Sequence, residues 1–144
     1  MTEDLPLEVT DVPDGADAAT ILDELSAFNA GEVGPSDRRP LGVFFRPAPG
    51  EPPEAGLTGY TAWNWLFTGN LWIAERHRGR GLAARLLDAA EAEALHRGCR
   101  GAWIDTFNPK AKAAYERCGY AVFGELPDFV AGRSRFFLAK PLGP

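Results

Sequence analysis

Residues 75–90 read ERHRGRGLAARLLDAA. Positive charge and bare backbone crowd into Arg76-His77-Arg78-Gly79-Arg80-Gly81, and the chain then passes directly into an alanine- and leucine-rich helical pattern. A helix N-terminus leaves its first backbone N–H groups unpaired and carries about half a positive charge. Glycines ahead of it reach backbone angles that other residues resist, and arginines add fixed charge with forked donors. These are the parts of a pyrophosphate cradle. A plain glycine turn with solvated arginines stays open as the other reading, because a lone Gly-x-Gly is a weak signal.

The rest of the chain makes this cluster local. Net charge is -5 over 144 residues, which argues against a nucleic-acid partner, since that would need a broad basic face. The length suits a single domain over residues 1–144 with a working core. No apolar run is long enough to cross a bilayer, and MTEDLPLEVT is acidic with no apolar signal core. No membrane partner is therefore expected. The cysteines, Cys99 and Cys118, make neither a disulfide framework nor a metal-ligand spacing. No metal is expected, and a reducing, cytoplasmic location is the simplest reading.

Pattern and punctuation give a mixed α/β order. LEVTDV (7–12) alternates as a strand, and residues 16–30 carry an apolar stripe at Ala19, Leu22, Leu25 and Phe28. Residues 41–46 read as a strand, and the proline-rich 47–56 as an exposed loop or hairpin tip. Residues 56–65 and 67–75 read as two strands turning near Gly69-Asn70 or just before. A long helix then runs to about Arg97 and stops at Gly98. After a strand at 99–105, a second helix has Asn108 as N-cap, Pro109 in its first turn and Gly119 as its stop. Strands at 121–126 and 133–140, joined by a loop, close the chain.

Three phosphate-binding designs compete for the glycine loop. A P-loop fails, because Gly81 is followed by Leu82-Ala83 rather than Lys-Ser/Thr. The dinucleotide fingerprint fits literally as Gly79-x-Gly81-x-x-Ala84, with Asp105 where a ribose-binding acid would stand, but too little chain follows for a second half. The third design is Arg/Gln-x-x-Gly-x-Gly/Ala between a strand and a helix. Arg78-Gly79-Arg80-Gly81-Leu82-Ala83 matches it, and Asn108, Tyr115 and Gly119-Tyr120 follow in the usual order. On these residues the chain resembles the GCN5-related N-acetyltransferase (GNAT) family over roughly residues 40–140.

That resemblance implies an α/β fold: a mixed, mostly antiparallel sheet of six to seven strands flanked by about four helices. It implies an acetyl-CoA-dependent enzyme that passes an acetyl group directly to an amine, of a small molecule or a protein terminus, through a tetrahedral intermediate. The cofactor-binding residues it implies are Trp72, Ile73, Ala74, Arg78, Gly79, Arg80, Gly81, Leu82, Ala83 and Asn108. Backbone N–H groups near Ile73 and Ala74 would polarise the thioester, and the strand would splay from the one at 101–105. Tyr115 is the implied acid for the leaving thiolate. Core packing is the other reading of Tyr115, since Ala111, Tyr115 and Cys118 share a helical face.

The strand before the loop carries no acid until Glu75, which puts a dedicated side-chain base in doubt; Asp105 or a water chain are the alternatives. Candidate acceptor residues are Phe28, Asn29, Trp63, Trp65, Asp105 and Phe129, with Trp63 and Trp65 expected on one strand face. Core or dimer surface is the other reading of these aromatics. Exposed strand edges suit a homodimer. A CoA-binding regulatory domain without turnover and a Rossmann-like nucleotide binder stay open as other classes.

Overall fold

The computed structural model describes residues 5–144. The chain divides into an N-terminal unit ending at Ser36 and a unit from Asp37 to Pro144. In the first, α1 spans Gly15–Val33, and the carboxylate of Asp14 accepts the Ala16 N–H at 2.7 Å as its N-cap. Residues 7–12, expected as a strand, form none. Alternation alone provides no partner strand, and at 3.0 Å the Thr10 hydroxyl accepts the Val12 N–H, which bends the chain instead.

The second unit holds six strands: β1 (Arg39–Phe45), β2 (Ala55–Ala62), β3 (Trp65–Ile73), β4 (Gly101–Thr106), β5 (Ala121–Val130) and β6 (Arg133–Pro141). Their order in the sheet is β1-β2-β3-β4-β6-β5. Only β3 and β4 run parallel; the other neighbours are antiparallel. This is not the doubly wound parallel sheet that a dinucleotide domain requires. α2 (Leu82–His96) makes the crossover from β3 to β4, and α3 (Pro109–Arg117) follows β4. A single 3-10 turn at Glu75–His77 precedes α2. Among the described residues there are three α-helices, close to the four or so expected.

α2 buries Leu86, Leu87, Ala90 and Ala94 against Leu57, Leu66, Ala102 and Leu138 of the sheet. Polar ties fix its position along that face. Arg97 donates to Glu93 at 2.8 Å, to the Thr61 hydroxyl at 3.1 Å and to the Arg39 carbonyl at 3.2 Å. The buried carboxylate of Glu91 accepts from the Tyr120 hydroxyl at 2.9 Å and from Lys140 at 2.6 Å. Those partners compensate a charge that burial would otherwise penalise. With its C-terminal half held this way, α2 delivers its N-terminus to the end of β3.

Two turns differ from expectation. β2 and β3 join at Trp63-Asn64, whose φ values of 48° and 64° are those of a tight hairpin turn. Gly69 is instead a bulge: Thr58 pairs with Asn70 and Gly59 with Thr68, leaving one extra residue on β3. A Cβ on Gly59 would run into the Phe67 carbonyl oxygen, so the bulge needs glycine on its partner strand as well. The segment 126–133, expected as a loop, is mostly strand and turns at Ala131-Gly132.

Candidate active site

The parallel ladder between β3 and β4 runs from Trp65 with Gly101 to Thr68 with Ile104. It stops there, although β3 continues to Ile73 and β4 to Thr106. The bulge at Gly69 lies at the point of separation, because an extra residue re-aims the strand. A fork opens between Gly69–Ile73 on one side and Asp105-Thr106 on the other. Its backbone groups follow from strand alternation, which sends the N–H and C=O of neighbouring residues to opposite sides. The Ala74 N–H donates to the Glu54 carbonyl at 2.8 Å, on the β2 side. Ile73 consequently turns its N–H and C=O into the fork. Its carbonyl accepts from Arg78 Nε at 2.9 Å, and its N–H remains directed at the opening. Of the two amides expected to polarise a carbonyl, Ala74's is already committed to Glu54 and Ile73's faces the fork.

The glycine loop directly follows that strand. Gly79 and Gly81 adopt φ of +77° and +75°, and a Cβ on either would meet no atom within 4 Å. The backbone is thus left-handed where only glycine sits without strain, over open space that a ligand can fill. Gly81 is the N-cap of α2 and no side chain caps the helix. The first helical hydrogen bond is Arg85 N–H to Gly81 O, so the amides of Leu82, Ala83 and Ala84 precede the ladder. The residues present therefore fit a diphosphate: main-chain donors, a helix dipole and exposed Arg78 and Arg80. His77 and Arg76 are less free than their sequence suggests. Each lies 2.6 Å from a carboxylate oxygen of Glu54, and Arg80 reaches His77 Nδ1 at 3.3 Å. These contacts hold the Glu54 carboxyl below its usual range, the His77 hydrogen bond most and Arg76 next.

Across the fork, Asn108 Oδ1 accepts the Lys110 and Ala111 N–H groups at 2.8 and 3.3 Å and so N-caps α3. Tyr115, on the same helix, is only 5% exposed. Burial pushes its hydroxyl up to about 12, with the Asp105 and Cys118 charges adding to the shift. Asp105 does not stand free as a base. Its Oδ1 accepts from Arg135 Nε at 3.1 Å and from the terminal nitrogen at 2.6 Å.

The Acetyltransferase (GNAT) family model matches residues 36–120, more than half of the chain. The chain belongs to the GNAT acetyltransferase family. It is 41% identical to an acetyltransferase of Agrobacterium fabrum, Atu2258, over 92% of this chain and 96% of that one. It is 38% identical to a blasticidin-S acetyltransferase of Streptomyces morookaense over 74% of this chain and 80% of that one. The crystal structure of a protein from Agrobacterium tumefaciens, described as an acetyltransferase, superposes with a TM-score of 0.90 at 39% identity. That match covers 96% of this chain and all of the other. The chain is accordingly an enzyme of the acyltransferase class with the GNAT fold. No helix among the described residues is long and apolar enough to cross a membrane.

In this acetyltransferase the expected acceptor residues fall on different elements. Trp63 occupies the β2–β3 turn, so it does not share a strand face with Trp65. Phe28 and Asn29 lie on α1, in the N-terminal unit. Trp65, by contrast, lines an open apolar pocket of ≈ 490 Å³ with Trp103, Phe123, Phe137 and Ala139. Alternation puts this pocket on the sheet face away from α2. At Phe137 it adjoins the Asp105–Arg135 pair, whose guanidinium stands 5.8 Å from that ring and 5.2 Å from Phe129. Phe129 in turn packs on Phe107 at 5.6 Å. Trp72 sits exposed at the fork's outer end.

Glu54, Thr68 and Arg135 carry no local sequence signal that marks them. Glu54 sits in a proline-rich loop 23 residues from His77, and no spacing rule connects the two. Thr68 stands on the last rung of the β3–β4 ladder, 2% exposed, and its hydroxyl has no hydrogen-bond partner. Such a group marks a position for an ordered water or a ligand atom. Thr68→Val removes that orphan and keeps the branched shape. It should stabilise the ligand-free protein by about 1 kcal/mol, raising Tm by roughly 2–4 °C in calorimetry. An unchanged or lower Tm would mean that the hydroxyl is already satisfied.

Proposed function

We propose that this enzyme transfers the acetyl group of acetyl-CoA to the amine of a small molecule. Acetyl-CoA, when bound, supplies an acetyl group activated as a thioester. The observation that carries the reading is the fork: β3 leaves β4 after Thr68 and leads straight into an uncapped, glycine-lined helix N-terminus. Gly79 to Ala83 with Arg78 and Arg80 would hold the diphosphate, and Trp72 and Ile73 the arm that enters the fork. Asn108 keeps α3 anchored at the opposite edge through its cap. The Ile73 N–H is the donor for charge developing on the carbonyl oxygen, and Tyr115 gives a proton to the departing sulfur. Because Arg135 holds Asp105, we assign removal of the amine's proton to water.

The acceptor would approach from the sheet face away from α2, where the Trp65–Trp103–Phe137 pocket meets the Asp105–Arg135 pair. An amine carried on an apolar or ring-bearing body suits that surface. The likeness to a blasticidin-S acetyltransferase supports a small-molecule acceptor. The test has two stages. Acetyl-CoA should raise the melting temperature, and a panel of small-molecule amines including blasticidin S should contain acceptors that release free thiol. Absence of any thermal shift would remove the donor; a shift without thiol release from any amine would leave a CoA-binding protein rather than this reaction.

A further inference from the structure

We propose that Glu54 is a positioning residue that sets the anion loop before its ligand arrives, an inference that rests on the acetyl-CoA reading above. Its backbone is fixed from both sides: its N–H donates to the Phe45 carbonyl and its carbonyl accepts from Ala74, each at 2.8 Å. The residue thereby stands between the ends of β1 and β3, just ahead of β2. From there one carboxylate oxygen meets Arg76 and the other meets His77, both at 2.6 Å.

The histidine passes the constraint on. Arg80 reaches His77 Nδ1 at 3.3 Å, and a guanidinium can only donate. Nδ1 therefore accepts, the ring proton sits on Nε2, and Nε2–H donates to Glu54. The chain Glu54–His77–Arg80 fixes the tautomer, the ring and the arginine together. Arg76, the remaining cation of the 3-10 turn, is held by the same carboxylate. Arg78 is tied separately to the Ile73 carbonyl. Every cation between β3 and α2 thus has its place before a diphosphate enters, and order present in advance need not be created on binding.

Simple electrostatics predicts the opposite effect of this residue. A carboxylate beside a polyanion site repels the ligand, so removing it should tighten binding if charge were its only role. Positioning predicts that Glu54→Ala raises the KM for acetyl-CoA roughly tenfold with kcat nearly unchanged. Glu54→Gln keeps an oxygen for His77 Nε2–H while removing the charge, and should restore KM to near the wild-type value. An alanine variant with equal or lower KM overturns the proposal, as does a glutamine variant as impaired as alanine.

A second measurement needs no ligand. Trypsin cleavage after Arg76, Arg78 or Arg80 in the free protein should accelerate severalfold in Glu54→Ala and stay near wild type in Glu54→Gln. Equal cleavage rates in all three proteins overturn the proposal. Wild-type protein that shows no acetyl-CoA binding would sink the donor reading instead, and the trypsin arm would still decide whether Glu54 orders the loop.

Discussion

Gly81→Asp is expected to eliminate acetyl-CoA binding while the protein remains folded. Two effects act at this position. The first is conformational: φ is +75°, and a side chain in the left-handed region costs about 1–2 kcal/mol, though aspartate tolerates it better than most residues. The second is electrostatic and larger. A carboxylate placed about 4–5 Å from a phosphate charge, at an effective dielectric near 20, is repelled by roughly 3–4 kcal/mol. That exceeds two powers of ten in affinity. The helix itself is not undermined, because a negative charge at its N-terminus is favourable to the dipole. Gly81→Ala separates the terms, since it keeps the backbone strain and adds no charge; it should weaken binding far less. Calorimetric titration of the three proteins reads the difference directly. Undiminished binding by the aspartate variant would place the diphosphate somewhere other than the mouth of α2.

Tyr115→Phe should lower kcat by about a hundredfold, the lower end of what a positioned acid contributes, with the KM for acetyl-CoA little changed. Phenylalanine retains the buried ring and its packing near Tyr120, 6.4 Å away, so stability is a weak confounder. The pH dependence carries a second signature. Burial raises the Tyr115 hydroxyl to about 12, so the proton is in place throughout the neutral range and past pH 10. The tyrosine therefore imposes no basic limb on kcat below that point. Its raised value also predicts a stability effect. The unfolded hydroxyl ionises near pH 10, so stability is fully present below that pH and declines as pH rises from about 10 towards the folded value. Full turnover by the phenylalanine variant would leave Tyr115 as a packing residue alone.

What was legible in the chain was local. The left-handed glycines of the anion loop, the start of α2 and the Asn108 cap of α3 all depend on a few neighbouring residues, whose backbone preferences act without help from elsewhere. Where a sequence signal had two structural solutions, neighbours chose between them. Gly69 suggested a turn and became a bulge, because a glycine in a strand satisfies either role. The actual turn fell on Trp63-Asn64, where tryptophan carries no turn signal. The alternation at residues 7–12 went unused, since a strand needs a partner as well as a pattern.

By itself, the amino-acid order determined where the glycine loop and its arginines fall, which helices form and what family the chain resembles, because caps, glycines and helical periodicity act over a handful of residues. Only the tertiary structure decided that β3 parts from β4 after Thr68, that Arg135 occupies Asp105, and that Glu54 meets His77. Those relations join residues 23 to 36 positions apart, and pairing at that range is selected by the packing of the whole sheet rather than by any preference readable along the chain.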